Sequence, residues 1–115
     1  MDKTKQNKVA RLIQKELGEI FQREGYAHTG KALLTITEVR ISPDLSIALV
    51  FLSIFGSKEA SKIFDEIVKL NREIRKKLGE KIRYKVRIIP ALKFLLDDSL
   101  EHAAKIDKLL KEAKK

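Results

Sequence analysis

The chain has 115 residues, 43% of them apolar, which is the size and composition of one globular domain with a real core and excludes two domains or a disordered chain. The absence of cysteine excludes disulfides, thiolate chemistry and cysteine-ligated zinc. With 25 basic residues against 16 acidic ones the formal charge is +9, which favours a polyanionic partner, a solvated cationic face being the alternative.

Residues 5–23 read as an amphipathic helix, with Val9, Leu12, Ile13, Leu17, Ile20 and Phe21 on one face and Lys8, Arg11 and Lys15 on a neighbouring one. Gly18 costs this helix about 1 kcal/mol relative to alanine, which suits a place where another element packs closely. Gly25 caps it, and 25–30 reads as a loop. Residues 31–41 form a strand whose alternation changes phase between Leu34/Ile36 and Val39/Ile41, so a bulge is expected near Thr37 and Glu38. Ser42, Pro43 and Asp44 make a turn into a second strand, 45–55, apolar on both faces as a central strand is.

Gly56 ends that strand, Ser57 is the expected N-cap of the next helix, and Ile63, Phe64, Ile67 and Val68 form its inward side. Asn71 then falls on the apolar seam and predicts a break, with one unbroken helix as the alternative. Leu70, Ile74 and Leu78 continue the seam under a cationic outer face. Between 72 and 87 the basic residues are Arg72, Arg75, Lys76, Lys77, Lys81, Arg83, Lys85 and Arg87, against only Glu73 and Glu80. Gly79, or the turn beyond it, ends the helix. Val86, Ile88, Pro90, Leu92, Phe94 and Leu96 follow with period two and predict a third strand, Pro90 placing it at an edge or a bulge. Asp97, Asp98 and Ser99 cap a short last helix carrying Leu100, Ala103, Ile106 and Leu110, with 111–115 frayed.

The residues give little support to an enzyme. Asp97, Asp98 and Glu101 could serve as metal ligands or an acid–base pair, but their place before a helix reads as capping. His28 and His102 are isolated, no glycine-rich phosphate loop occurs, and neither cofactor, metal nor small-molecule substrate is expected. Phe21, Phe51, Phe55, Phe64 and Phe94 read as core, so no base-stacking platform of RRM or OB type is evident. No run approaches the roughly eighteen apolar residues of a membrane span, and the lysine-rich start lacks an apolar signal stretch, so a cytoplasmic protein is expected. Every apolar face finds a partner within the fold, which predicts a monomer.

Val39-Arg40-Ile41-Ser42-Pro43-Asp44-Leu45-Ser46 with Ala48 and Val50, then Arg87-Ile88-Ile89-Pro90-Ala91-Leu92-Lys93-Phe94 with Asp97-Asp98-Ser99, closely resemble bacterial ribosome-binding factor A over nearly the whole chain. The resemblance implies an α+β, type II KH-like domain of order αββααβ, a mixed three-stranded sheet packed against helices, spanning 1–115 as a single RNA-binding domain. It further implies a non-enzymatic assembly factor that binds the immature 30S subunit and 16S rRNA, assisting late maturation and processing of the rRNA 5′ end, often under cold stress. The alternatives are a generic KH-like module for single-stranded RNA and a basic protein–protein adaptor. The residues expected on RNA are Lys8, Arg11, Lys15, Arg72, Arg75, Lys76, Lys81, Arg83, Lys85 and Arg87. At the helix–helix kink the family pattern has a small residue, one residue, then glycine, where this chain has Leu70, Asn71 and Arg72, and the stretch between Gly79 and Pro90 is a little longer than that pattern implies.

Overall fold

The computed structural model describes residues 3–29 and 32–97. Apolar residues at helical spacing make α1 (Lys3–Arg23), where Val9, Ile13, Leu17, Ile20 and Phe21 are buried along one side. Gly25, at φ 80°, turns the chain out of the helix. The segment expected as a loop at 25–30 contributes instead a two-residue strand, β1 (His28–Thr29), paired antiparallel with the start of β2 (Ala32–Ile41). β2 pairs antiparallel with β3 (Ile47–Phe55), and β3 runs parallel to β4 (Ala91–Leu96). The sheet order is β1-β2-β3-β4, so the three long strands form the predicted mixed sheet and β1 extends its edge. The central place of β3 is why both its faces are apolar.

The phase change in β2 is resolved as predicted. The register shifts between Ile36 and Glu38, and Leu34, Val39 and Ile41 all reach the same core. The β2–β3 turn is closed by the Leu45 N–H donating to the Ser42 carbonyl at 2.9 Å, with Leu45 itself at φ 65°. Side chains lock it further. Asp44 Oδ1 accepts from the Ser46 hydroxyl (2.7 Å), the Ser42 hydroxyl (2.8 Å) and the Ser46 N–H (3.0 Å), while Ser42 Oγ accepts from the Ile47 N–H (3.0 Å). The Ser42-Pro43-Asp44-Leu45-Ser46 motif is therefore a hairpin clasp. Its donors, the Ser46 hydroxyl first and Ser42 next, hold the Asp44 carboxyl below its ordinary value.

Two adjoining helices, α2 (Ala60–Lys69) and α3 (Asn71–Ile82), cross back to β4. α2 begins three residues after Ser57, not on it. The Ser57 Oγ accepts from the Glu59 N–H at 3.0 Å and shapes the turn before the helix, whose cap position, Glu59, makes no side-chain bond to the helix end. The predicted break is present one residue early, at Leu70 (φ −90°, ψ 5°), whose carbonyl accepts the first α3 bond from Ile74 N–H at 2.9 Å. Asn71 opens α3, and its Nδ2 donates to the Leu92 carbonyl at 2.8 Å, so the amide on the apolar seam ties the kink to β4.

Residues 86–90 differ from the expected strand. β4 starts at Ala91, whose N–H gives the first ladder bond, to the Ser46 carbonyl at 2.9 Å, because Pro90 has no N–H to give. Val86 and Ile89, three apart, pack on the core while Ile88 faces out. Of the two ends expected for α3, it takes the one in the turn beyond Gly79, at Ile82; Ile89 packs over Gly79.

Residues of all three helices meet one face of the sheet: Val9, Ile13, Leu17 and Ile20 from α1, Ile67 from α2, and Ile74, Leu78 and Ile82 from α3. Phe21 and Phe94 lie 6.4 Å apart in this layer. On the other face Leu49 and Phe51 form a smaller cluster with Ile47 and Leu95. Phe55, expected in the core, ends β3 at 76% exposure. Helices on one side of a mixed sheet, in this order, make an α+β, type II KH-like domain. Asp98, Ser99, Glu101, His102 and the expected last helix lie outside the described residues.

Candidate nucleic-acid interface

The helical layer carries two rows of exposed cations with a neutralised seam between their helices. On α1, Lys8, Arg11 and Lys15 follow at three- and four-residue spacing, all exposed and turned away from the buried side. On α3, Arg72 and Lys76 are exposed opposite Ile74 and Leu78. Where the helices meet, carboxylates of the α1 segment face lysines of α3. Lys81 Nζ lies 3.6 Å from Glu16, which is buried, and 3.7 Å from Glu19, while Lys77 Nζ donates to Glu24 at 2.8 Å and lies 5.8 Å from the Tyr26 ring centre. The hydrogen bond to Glu24 raises Lys77 above its ordinary value, and the same bond to Lys77 lowers Glu24.

The ten expected contact residues therefore divide. Lys81 is held beside Glu16 and Glu19, and Arg75, though exposed, lies along the backbone before β4, its Nε donating to the Pro90 carbonyl at 3.0 Å and its Nη2 to the Ile89 carbonyl at 2.7 Å. Arg83, Lys85 and Arg87 stand exposed on the loop that these bonds fasten. At the kink, Leu70 packs on the core and Asn71 bonds to β4, which leaves Arg72 as its exposed member.

That loop also holds a residue that sequence reasoning passed over. Tyr84 is 85% exposed, with the Arg83 guanidinium carbon 4.6 Å from its ring centre and Arg83 Nη2 donating to its hydroxyl. A tyrosine inside a basic run was the available signal.

No cluster of three His, Asp or Glu able to hold a metal is found among the described residues, and no described helix is long and apolar enough to cross a membrane. One open groove, about 420 Å³, runs between α1 and β2 and is lined by Gln14, Lys15, Gly18, Leu33 and Thr35 among others. Its charged lining residues, Lys15 and Glu19, are single and of opposite sign, with no acid–base pair directed into it.

Comparison with known proteins agrees with this fold. Residues 5–110 match the family Ribosome-binding factor A. The chain is 46% identical to Ribosome-binding factor A of Cytophaga hutchinsonii over 110 residues, covering 96% of this chain and 83% of that protein, and 45% identical to that of Chloroherpeton thalassium, covering 92% and 84%. Among solved structures it is similar in fold to the crystal structure of ribosome-binding factor A from Thermus thermophilus (TM-score 0.66, 22% identity, 82% of this chain and 98% of that one). It is likewise similar to the solution structure of a Thermotoga maritima protein described as a putative ribosome binding factor A (TM-score 0.67, 20% identity, 83% and 89%). A third similar chain, at 26% identity and TM-score 0.59 over 73% of this chain and 86% of that one, is a Thermus thermophilus ribosome binding factor A fitted into a cryo-EM map of its complex with 30S. With the match running through both the Asp44 clasp and β4, the chain belongs to the ribosome-binding factor A family.

Proposed function

We propose that this chain is a single-domain, monomeric factor that binds the immature 30S subunit through 16S rRNA and assists its late maturation, including processing of the rRNA 5′ end, by binding and not by catalysis. The observation that carries this reading is the separation of charge from core on the helical layer, where Lys8, Arg11, Lys15, Arg72 and Lys76 are exposed on helices whose other sides are buried. The relative fitted into a 30S map supports the choice of polyanion. Phosphate contacts from these rows position the protein, and RNA shape supplies selectivity. Arg83, Lys85 and Arg87 extend the surface, whereas Arg75 and Lys81 serve the fold. The cytoplasm is the corresponding compartment, and slow growth in the cold with unprocessed 16S rRNA is the expected phenotype of a deletion.

Sedimentation with free 30S subunits tests the reading. Neutralising about five phosphates should weaken binding roughly a hundredfold or more between 50 and 200 mM salt. Arg72→Glu with Lys76→Glu should abolish co-sedimentation while leaving the melting temperature nearly unchanged, because exposed helix charges contribute only a few tenths of a kcal/mol each. Salt-independent binding, or a double reversal that sediments as the native chain does, would count instead for a protein–protein adaptor or another surface.

A further inference from the structure

The loop from α3 to β4 presents an aromatic ring that the fold does not use. Tyr84, at 85%, is the most exposed large apolar side chain among the described residues. The ring is not loose. Arg83 lies against it 4.6 Å from its centre and donates to its hydroxyl. The backbone beneath is fastened at both ends, since the Lys85 and Val86 N–H groups donate to the Ile82 carbonyl at 2.8 and 3.1 Å, and Arg75 holds the Ile89 and Pro90 carbonyls. Most of the ring beyond the Arg83 contact is open to water. Within 83–88 stand three exposed cations, Arg83, Lys85 and Arg87, and no acid.

A pre-positioned ring costs little side-chain entropy when it binds, and any nucleobase offers a flat face to it, while the adjacent cations suit the flanking phosphates. Three exposed cations beside the ring, in a chain of charge +9, favour nucleic acid over a protein surface. We propose that Tyr84 is a stacking platform for an unpaired base of single-stranded RNA, with Lys85 and Arg87 on the phosphates beside it. The proposal rests on the rRNA-binding reading and deepens it: the helical rows grip backbone, and the loop takes an extruded base or a strand end.

The test compares the full chain with Tyr84→Leu, Tyr84→Phe and Arg87→Ala, each titrated with a short single-stranded RNA and with an abasic ribose-phosphate oligomer of equal length at three salt concentrations. The native chain should prefer the base-bearing oligomer by roughly five- to a hundredfold, a preference lost in Tyr84→Leu and kept in Tyr84→Phe. Stacking is uncharged, so Tyr84→Leu should leave the salt slope unchanged, whereas Arg87→Ala should lower it by about one and keep the preference. The chain has two tyrosines and no tryptophan, so a Tyr26→Phe background leaves Tyr84 as the sole source of tyrosine emission, which should be quenched by the RNA and not by the abasic chain. The exposure of Tyr84 means that Tyr84→Leu should melt as the native chain does. A native chain that binds 30S without any preference for bases overturns the stacking proposal alone. Loss of 30S binding in Tyr84→Leu with the RNA titration unaffected also overturns it, because the ring then meets a protein. Failure of the native chain to bind either RNA or 30S sinks the rRNA reading as well.

Discussion

Arg75 donates to the Pro90 and Ile89 carbonyls, and Arg75→Met tests whether this cation serves the fold or the proposed RNA surface. Methionine keeps the unbranched stem but removes the donors to the Pro90 carbonyl (3.0 Å, partly buried) and the Ile89 carbonyl (2.7 Å, exposed). A hydrogen bond from a charged donor contributes about 1.5–3 kcal/mol, less where water can replace it, so the pair together should be worth roughly 1–3 kcal/mol. For a domain of this size that is a fall of about 4–12 °C in melting temperature, read by circular dichroism. Arg72→Met and Lys76→Met, whose side chains are exposed on the outer side of α3, should stay within about 0.5 kcal/mol of the native chain and lower the salt slope of 30S binding instead. The folded Arg75→Met protein should keep that slope. If Arg75→Met melts with the native chain while its salt slope drops, Arg75 is a phosphate ligand and its carbonyl bonds are incidental.

Three further outcomes follow from local geometry. No close packing explains Gly18, since a Cβ there would meet nothing within 4 Å, so Gly18→Ala should raise stability by up to about 1 kcal/mol; a lower urea midpoint would refute this. Asn71→Leu removes the bond to the Leu92 carbonyl and should cost about 1 kcal/mol while speeding amide exchange across 69–73, and unchanged exchange would show that the kink does not depend on that amide. Asp44 titrates below its ordinary 3.8 in the folded chain, so its clasp stabilises at pH above 3.8 and is lost as the pH falls through the lower folded value. The difference in urea midpoint between the native chain and Asp44→Ala should therefore shrink as the medium is made more acid than 3.8, and a constant difference would remove the carboxylate from the explanation.

What was legible in the sequence was local. The amphipathic period of α1 and α3, the bulge forced by the phase change at Thr37 and Glu38, the turn at Ser42-Pro43-Asp44 and the two apolar faces of a central β3 depend on spacing and on residue chemistry within a few positions, and the structure keeps them. The short β1 was not legible, because two residues carry no period and their pairing depends on how the chain returns along β2. Residues 86–90 imitate a strand, but the chain is there still travelling from the end of α3, and only the site of the first available ladder donor, Ala91, decides where β4 begins. The basic run was read as one cationic surface, since arginines and lysines look alike along a sequence. Packing sorts them by what distant segments bring opposite: Glu16 and Glu19 of α1 take Lys81, the carbonyls before β4 take the exposed Arg75, and Arg72, Lys76, Arg83, Lys85 and Arg87 are exposed without such a tie to another element. Tyr84 went unnoticed for the same reason. Exposure of an aromatic ring belongs to the whole fold, and it is settled by whether any other element comes to cover it.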